Sequence, residues 1–519
     1  VELFPGKQLF VDDFFIESLH DARRVLNRPA KITVEQPLEL GFDKPWDRGE
    51  IRMGDIVYDE EIQRFTFYYG VAVEGDVRVC ALTSQDGLDW EYPDLGLVEF
   101  AGSKRNNITT FPTDVSRSDC LGVLWDPHAV SDAERWKRVD NKPSGSRPGE
   151  EAEWRAFHSA DGFDWVPYPP GLHSEQNMLF NFGARPHSFG GTIDPDARYI
   201  HYFQRGSGRA TRALGRRDSP DYLNWSGLRT VLDTDLQDPP GTEFYGASGD
   251  MANRTEGGLH LLMLHTYSTD LGEPYKMETA GKYWGTEPLG ATPIRTDGFI
   301  DTELAVSRDT VSWQRFREPF LPRGEAGAWD WGMLYADAPI RHRDRLMIYY
   351  LGANLTHGGR APSGGEMPFS REARRGKGLA TLRPDGYVGV EAVGYAPGQL
   401  TTNRFRQELG GNLRVNVDAA AGELRYELLE DRGTPIPGYS AADCDPIRTD
   451  QLDAELSWNG KVGWPAITAE REAFFGKLGR SGSYIKLRFH ILPGAKLYSV
   501  TLDPPQVTMW RADVTGGVD

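Results

Sequence analysis

Ser84-Gln-Asp-Gly-Leu-Asp-Trp90, Ser159-Ala-Asp-Gly-Phe-Asp-Trp165, Ser219-Pro-Asp-Tyr-Leu-Asn-Trp225 and Ser307-Arg-Asp-Thr-Val-Ser-Trp313 are one phrase met four times in order. A degenerate fifth copy, Leu382-Arg-Pro-Asp-Gly-Tyr387, follows. Asp-Gly favours a tight turn, and a tryptophan four residues past the aspartate can pack back over the next strand. Upstream of most copies runs a strand-like aromatic segment, as in Arg64-Phe-Thr-Phe-Tyr-Tyr69, Arg198-Tyr-Ile-His-Tyr-Phe203 and Arg345-Leu-Met-Ile-Tyr-Tyr350. A further short strand ending in a turn aspartate precedes it, as in Asp55-Ile-Val-Tyr-Asp59 and Leu121-Gly-Val-Leu-Trp-Asp126. Four short antiparallel strands repeated five times predict an all-β fold, a five-bladed β-propeller over residues 40–397.

Outside the repeats the texture changes. Leu413-Arg-Val-Asn-Val417, Tyr484-Ile-Lys-Leu-Arg-Phe489 and Ala495-Lys-Leu-Tyr-Ser-Val-Thr-Leu502 alternate inward and outward residues without the turn phrase, predicting a small C-terminal β-sandwich over 398–511. Residues 512–519 read as a tail. Residues 1–39, containing Leu9-Phe-Val-Asp-Asp-Phe-Phe-Ile16, read as a strand segment packing on the propeller.

Composition narrows the partners. The 519 residues hold 58 Lys and Arg against 76 Asp and Glu, a net charge of −18, which argues against nucleic acid and anionic membrane surfaces. No apolar run approaches the roughly 18 to 20 residues of a membrane span. Cys80, Cys120 and Cys444 are too sparse for a disulfide framework or a zinc site, so no metal and no cofactor is expected. The segment 1–16 lacks the basic and apolar regions of a signal peptide, giving a cytoplasmic expectation, with a removed leader or a homo-oligomer left open.

In a propeller the first strands line a central channel, so polar residues near their starts converge. Counting back from each first-strand turn selects Arg52 with Glu50 and Asp55, Asp119, and His187 with Arg185. It also selects Glu243, then Asp330, Trp331 and Asp337. Core packing needs none of these charges. Two carboxylates across a glycosidic bond, one donating a proton and one attacking carbon or activating water, are the chemistry of glycoside hydrolysis. Asp119, Glu243, Glu50 and Asp55 are therefore the candidate catalytic acids, with Glu243 as proton donor. Arg52, Arg185, His187, Asp330, Trp331 and Asp337 are candidate substrate contacts. Tyr245, Tyr283 and Trp284 offer further aromatic faces for an oligosaccharide or glycoside.

The repeat pattern followed by a sandwich resembles the clan of five-bladed propeller glycoside hydrolases that includes invertases, levanases and arabinofuranosidases. Ser118-Asp-Cys-Leu-Gly-Val-Leu-Trp-Asp126 looks like that clan's Arg-Asp-Pro segment, which implies a transition-state-stabilising role for Asp119. The resemblance implies a furanoside substrate, fructosyl or arabinosyl. It breaks at two places. Arg52 stands where the clan's nucleophile is expected, and Arg185-Pro-His187 stands where its Glu-Cys acid segment is expected. A carbohydrate-binding propeller without catalysis and a glycoside phosphorylase are the alternative readings.

Overall fold

A computed structural model describes residues 6–73, 76–111, 122–142, 153–169, 186–188, 198–205, 212–227, 229–250, 259–268, 298–357, 374–406, 410–464 and 484–503. The chain divides into two compact units. One is Pro29–Asn253 with His260–Thr381; the other is Val1–Arg28 and Leu382–Asp519 with the short segment Arg254–Leu259. Regular structure among the described residues is strand, with two short 3-10 turns.

The larger unit is a series of antiparallel sheets. The first is Glu50–Asp59, Arg64–Val73 and Asp76–Ser84. The second orders Val123–Trp125, Trp136–Lys142, Glu153–Ser159 and Val166–Pro167; the third, Pro186–Ser188, Tyr199–Arg205, Ala213–Ser219 and Arg229–Leu232. A nine-stranded sheet follows, in which a single parallel bridge, Ile300 to Met333, joins two antiparallel sets. The fourth set is Thr242–Asp250, His260–Ser268, Phe299–Ser307 and Gln314–Leu321. The fifth pairs Met333–Ala336 and Ile340–His342 with Arg345–Ala353, then Arg375–Leu382, and ends on Ala30–Lys31.

Each sheet packs apolar faces on the next. Val57, Tyr68 and Val79 meet Trp125, Trp136 and Phe157; Ala156 meets Tyr199 and Tyr222; Tyr202 and Leu214 meet Phe244 and Leu262; Tyr267 and Ile300 meet Met333 and Ala353. The fifth returns to the first, with Ile340, Met347 and Tyr349 against Phe65 and Phe67. The sheets thus close a ring, as in a β-propeller.

The repeated phrase builds the joints of this ring. In every full copy the serine hydroxyl donates to the aspartate Oδ1: Ser84 to Asp86 at 3.0 Å, Ser159 to Asp161 at 3.0 Å, Ser219 to Asp221 at 3.2 Å and Ser307 to Asp309 at 3.0 Å. The same oxygen accepts two backbone N–H groups beyond the turn, from Leu88 and Asp89 in the first copy and Val311 and Ser312 in the fourth. The residue after the aspartate adopts positive φ in all four: Gly87 at 76°, Gly162 at 84°, Tyr222 at 71° and Thr310 at 62°. In three copies its carbonyl receives a tyrosine from the neighbouring sheet. Tyr349 donates to Gly87 O at 2.7 Å, Tyr68 to Gly162 O at 2.9 Å and Tyr202 to Thr310 O at 2.6 Å.

The smaller unit is a two-sheet sandwich. One sheet orders Asp450–Glu455, Asn412–Asp418, Lys496–Asp503, Val388–Ala392 and Ala22–Leu26, with Gly6–Leu9 also on Lys496–Asp503. The other pairs Ile16–His20 with Gly398–Thr402, and Tyr484–Ile491 with Gly398–Thr402, Phe405–Arg406 and Leu424–Glu430. Phe10, Phe15, Val390, Leu400, Val415, Tyr426, Leu487 and Val500 share its core.

Two sequence boundaries move. Residues 1–39 do not form one segment of the propeller: the stretch 6–26 supplies three sandwich strands, and only Ala30–Lys31 pairs in the ring. Val388–Ala392, expected in the propeller, also lies in the sandwich, because Val390 completes its core. The fifth phrase accordingly does different work. Asp385 takes Lys7 Nζ at 3.0 Å, Ser499 Oγ at 2.9 Å and Asn416 Nδ2 at 3.1 Å, all within the sandwich unit.

Candidate functional site

Strand pairing gathers several chain ends at one rim of the ring. Thr242 opposes Ser268, Ser268 opposes Phe299, Ile300 bridges Met333, and Met333 opposes Ala353. His357 N–H donates to Gly298 O at 3.0 Å, and Phe244 N–H to Arg212 O at 3.2 Å. Glu243 itself opposes Tyr267 in the strand register and meets Arg212 from a third stretch of chain.

Its carboxylate is ion-paired to Arg212, and the two side chains are 12% and 16% exposed, sheltered but reachable. The Arg212 guanidinium lies 5.5 Å from the Tyr245 ring centre and 5.2 Å from that of Tyr267. His357 Nε2 and Tyr245 Oη are hydrogen-bonded at 3.0 Å. The His357 ring packs 5.0 Å from Tyr267, and Tyr335 packs 5.7 Å from Tyr245. At the adjoining strand start Asp301 pairs with Arg323 at 2.9 Å; the guanidinium stacks 4.0 Å from Phe299 and donates to Trp331 O at 2.7 Å. Trp331, half-buried, meets Phe299 edge-on at 5.0 Å.

A buried scaffold sits behind this rim. Arg315 bridges Glu303 at 2.8 Å and Asp238 at 2.7 Å and lies 4.5 Å from the ring of Phe244, the residue after Glu243. Arg317 adds bonds to Asp238 and Asp235. The loop entering the Glu243 strand is thereby tied to the outer strand of its own sheet. Burial pushes the Glu303 carboxyl up, against the opposing pull of Arg315. Burial lowers His265, whose Nε2 bonds Ala336 O at 2.9 Å. Among the described residues no group of three or more His, Cys, Asp or Glu side chains is set to hold a metal ion.

The other candidates separate. Asp330 is 1% exposed and held by Lys31 Nζ at 2.5 Å, which clamps the first strand segment of the ring. Asp337 is taken by the buried Lys377 at 3.0 Å. Asp55 is buried and accepts Val123 N–H at 2.9 Å, linking the first and second sheets. Glu50 is 72% exposed, 3.7 Å from Arg52, at the start of the first strand. His187 lies on Pro186–Ser188, opposite Ile200. Asp119, Arg185, Tyr283 and Trp284 lie outside the described residues.

Counting back along first strands missed Arg212, Tyr267 and His357, which reach the rim from other strands or from just beyond a strand's far end, and passed over Tyr335 on Met333–Ala336. It also missed Asp47, a buried carboxylate that accepts Tyr69 and Tyr92 hydroxyls at 2.8 Å each. Its position beside Trp46, immediately before the first strand, was the available signal.

No family model matches the chain, and no curated protein does. Among solved structures it is similar to the GH32 β-fructofuranosidase of Bombyx mori, at 12% identity over 94% of this chain and 95% of that one, with a TM-score of 0.36. It is also similar to a thermostable family-43 glycoside hydrolase, at 14% identity over 68% and 92%, TM-score 0.36. An N-acetylgalactosamine deacetylase from F. plautii aligns at 14% identity over 73% and 95%, TM-score 0.30.

Proposed function

We propose that the ring unit is a glycoside hydrolase whose substrate, a fructosyl or arabinosyl furanoside, binds at the Glu243 rim. The observation that carries this reading is the sheltered Glu243 carboxylate, fixed by Arg212 at a strand start among the rings of Tyr245 and Tyr267. Aromatic faces with a few oriented polar groups are the equipment of a small-ligand site, and apolar sugar faces pack on such rings. A net charge of −18 favours a neutral ligand over a polyanion.

The ion pair changes the role assigned to Glu243. A carboxylate bound to a guanidinium suits a base or nucleophile better than a proton donor. Glu243 is accordingly the group that activates water or attacks the anomeric carbon, and Asp119 keeps the stabilising role that its segment implies. To Glu50 and Arg52, at the first strand's start, we assign outer substrate contacts.

The test is sugar release from a panel of aryl and natural furanosides, with and without phosphate. Release without phosphate, reduced about 10²- to 10⁴-fold by Glu243→Gln, supports the proposal. Strict dependence on phosphate would make the protein a phosphorylase. Sugar binding with no turnover would make it a binding propeller.

A further inference from the structure

The geometry points to Tyr245 as the proton donor of this site, with His357 positioning and recharging it; this rests on the hydrolase reading above. Two independent observations single out Tyr245. Phe244 opposes Thr266 and Gly246 opposes His265, so Tyr245 is the extra residue of a β-bulge. A bulge redirects one side chain out of the regular pleat and is frequent beside active sites. The redirected hydroxyl is then bonded by an imidazole at 3.0 Å, a general acid–base group that works near neutral pH without a large shift.

The rest of the surroundings fits proton transfer. Arg212 links the two proposed reacting groups, pairing with Glu243 and lying over the Tyr245 ring, so one cation stands beside both. His357 packs against the rings of Tyr245 and Tyr267, and the charged group nearest to those rings is Arg212, which lies over both and pairs with Glu243. The other described carboxylates among the sequence's candidates, catalytic or substrate-binding, have settings of their own. Asp330 is held by the half-buried Lys31 and Asp337 by the buried Lys377, Asp55 takes a backbone N–H, and Glu50 stands exposed at the first strand's start.

For direct attack by water, Glu243 takes a proton from water as the water oxygen bonds to the anomeric carbon. The glycosidic C–O bond breaks, its electron pair stays on the leaving oxygen, and that oxygen takes the Tyr245 proton. His357 then gives its Nε2 proton to the phenolate as Nδ1 takes one from solvent, while Glu243 releases its proton to solvent.

Leaving-group dependence tests the assignment. A 2,4-dinitrophenolate departs without a proton; an alkoxide does not. With furanosides of the sugar that the wild type releases, Tyr245→Phe should lose about 10²- to 10⁴-fold on the methyl glycoside and little on the dinitrophenyl glycoside. His357→Gln should move one limb of the kcat–pH profile on the methyl glycoside and leave the dinitrophenyl profile in place. Equal losses on both substrates, or unchanged profiles, would make these residues supports only and overturn the assignment while the hydrolase reading stands. A wild type that hydrolyses no furanoside removes both.

Discussion

Gly87 offers a quantitative test of how the ring holds together. Its φ of 76° is a left-handed conformation, and a Cβ built there would lie 2.2 Å from Tyr349 Oη and 2.8 Å from Met347 Cε. Gly87→Ala therefore adds two costs. The backbone conformation costs an L-residue about 1–2 kcal/mol. Tyr349 must also withdraw, which breaks its 2.7 Å bond to Gly87 O and leaves a buried hydroxyl unpaired, about 1–3 kcal/mol. The total is roughly 2–5 kcal/mol. Gly96 is the control: its φ is 66°, yet nothing lies within 4 Å of an added Cβ, so Gly96→Ala should show the backbone cost alone. Urea midpoints followed by tryptophan fluorescence would compare them. In a Tyr349→Phe background the hydroxyl is gone, so Gly87→Ala should become cheaper by about 1–3 kcal/mol in a double-mutant cycle. Equal costs at Gly87 and Gly96, or strict additivity with Tyr349→Phe, would refute the idea that this contact joins the fifth sheet to the first.

Three further outcomes are expected. Burial raises the carboxyls of Asp86, Asp221 and Asp309, but the turn N–H and hydroxyl donors outweigh it and hold each below the usual range. Their contribution to stability is therefore complete above the unfolded carboxyl pKa of about 4 and lost as pH falls through the lower folded values. Urea midpoints between pH 7 and pH 3 should drop in that acid window, and Asp309→Asn should flatten the drop. Lys31→Met strands the buried Asp330 carboxylate and should cost about 3–5 kcal/mol by the same measurement, with much of it recovered in Lys31→Met with Asp330→Asn. Arg315→Met removes the bridge between Glu303 and Asp238 and should destabilise the fourth sheet by a similar amount, read as faster hydrogen exchange across Thr242–Asp250 and Phe299–Ser307.

The turns were legible because their chemistry is local. Ser84, Asp86 and Gly87 satisfy one another within four residues, so the same letters recur wherever the turn does. Even Tyr222 and Thr310, which replace glycine at positive φ, leave the turn's serine and aspartate bonds intact; Arg216 anchors Thr310. The fifth copy misled because Arg383 stands where the other copies carry the turn serine, and distant Lys7 and Ser499 claim the carboxylate. The same distance effect hid the fates of Asp330 and Asp337. Their partners, Lys31 and Lys377, are sheltered cations that no local pattern connects to them. Glu243 and Trp331 could be read from strand starts, whereas Arg212 and His357 become visible only when neighbouring strands are set side by side.

Ala30 pairs with Thr381 and Lys31 with Ala380, so the chain enters and leaves the ring through adjacent strands. The ring is thus spliced into the sandwich sequence as one long detour. Leu9 pairs with Ser499, and at roughly 5–20 residues per second a ribosome needs about 25–100 s to deliver that partner. For most of this interval the strands Gly6–Leu9, Ile16–His20 and Ala22–Leu26 wait with open edges while the detour is made and folds. Biogenesis of this protein therefore depends on sheltering its first residues longest, and a permutant opened at a turn of the ring would shift that burden without altering a single native contact.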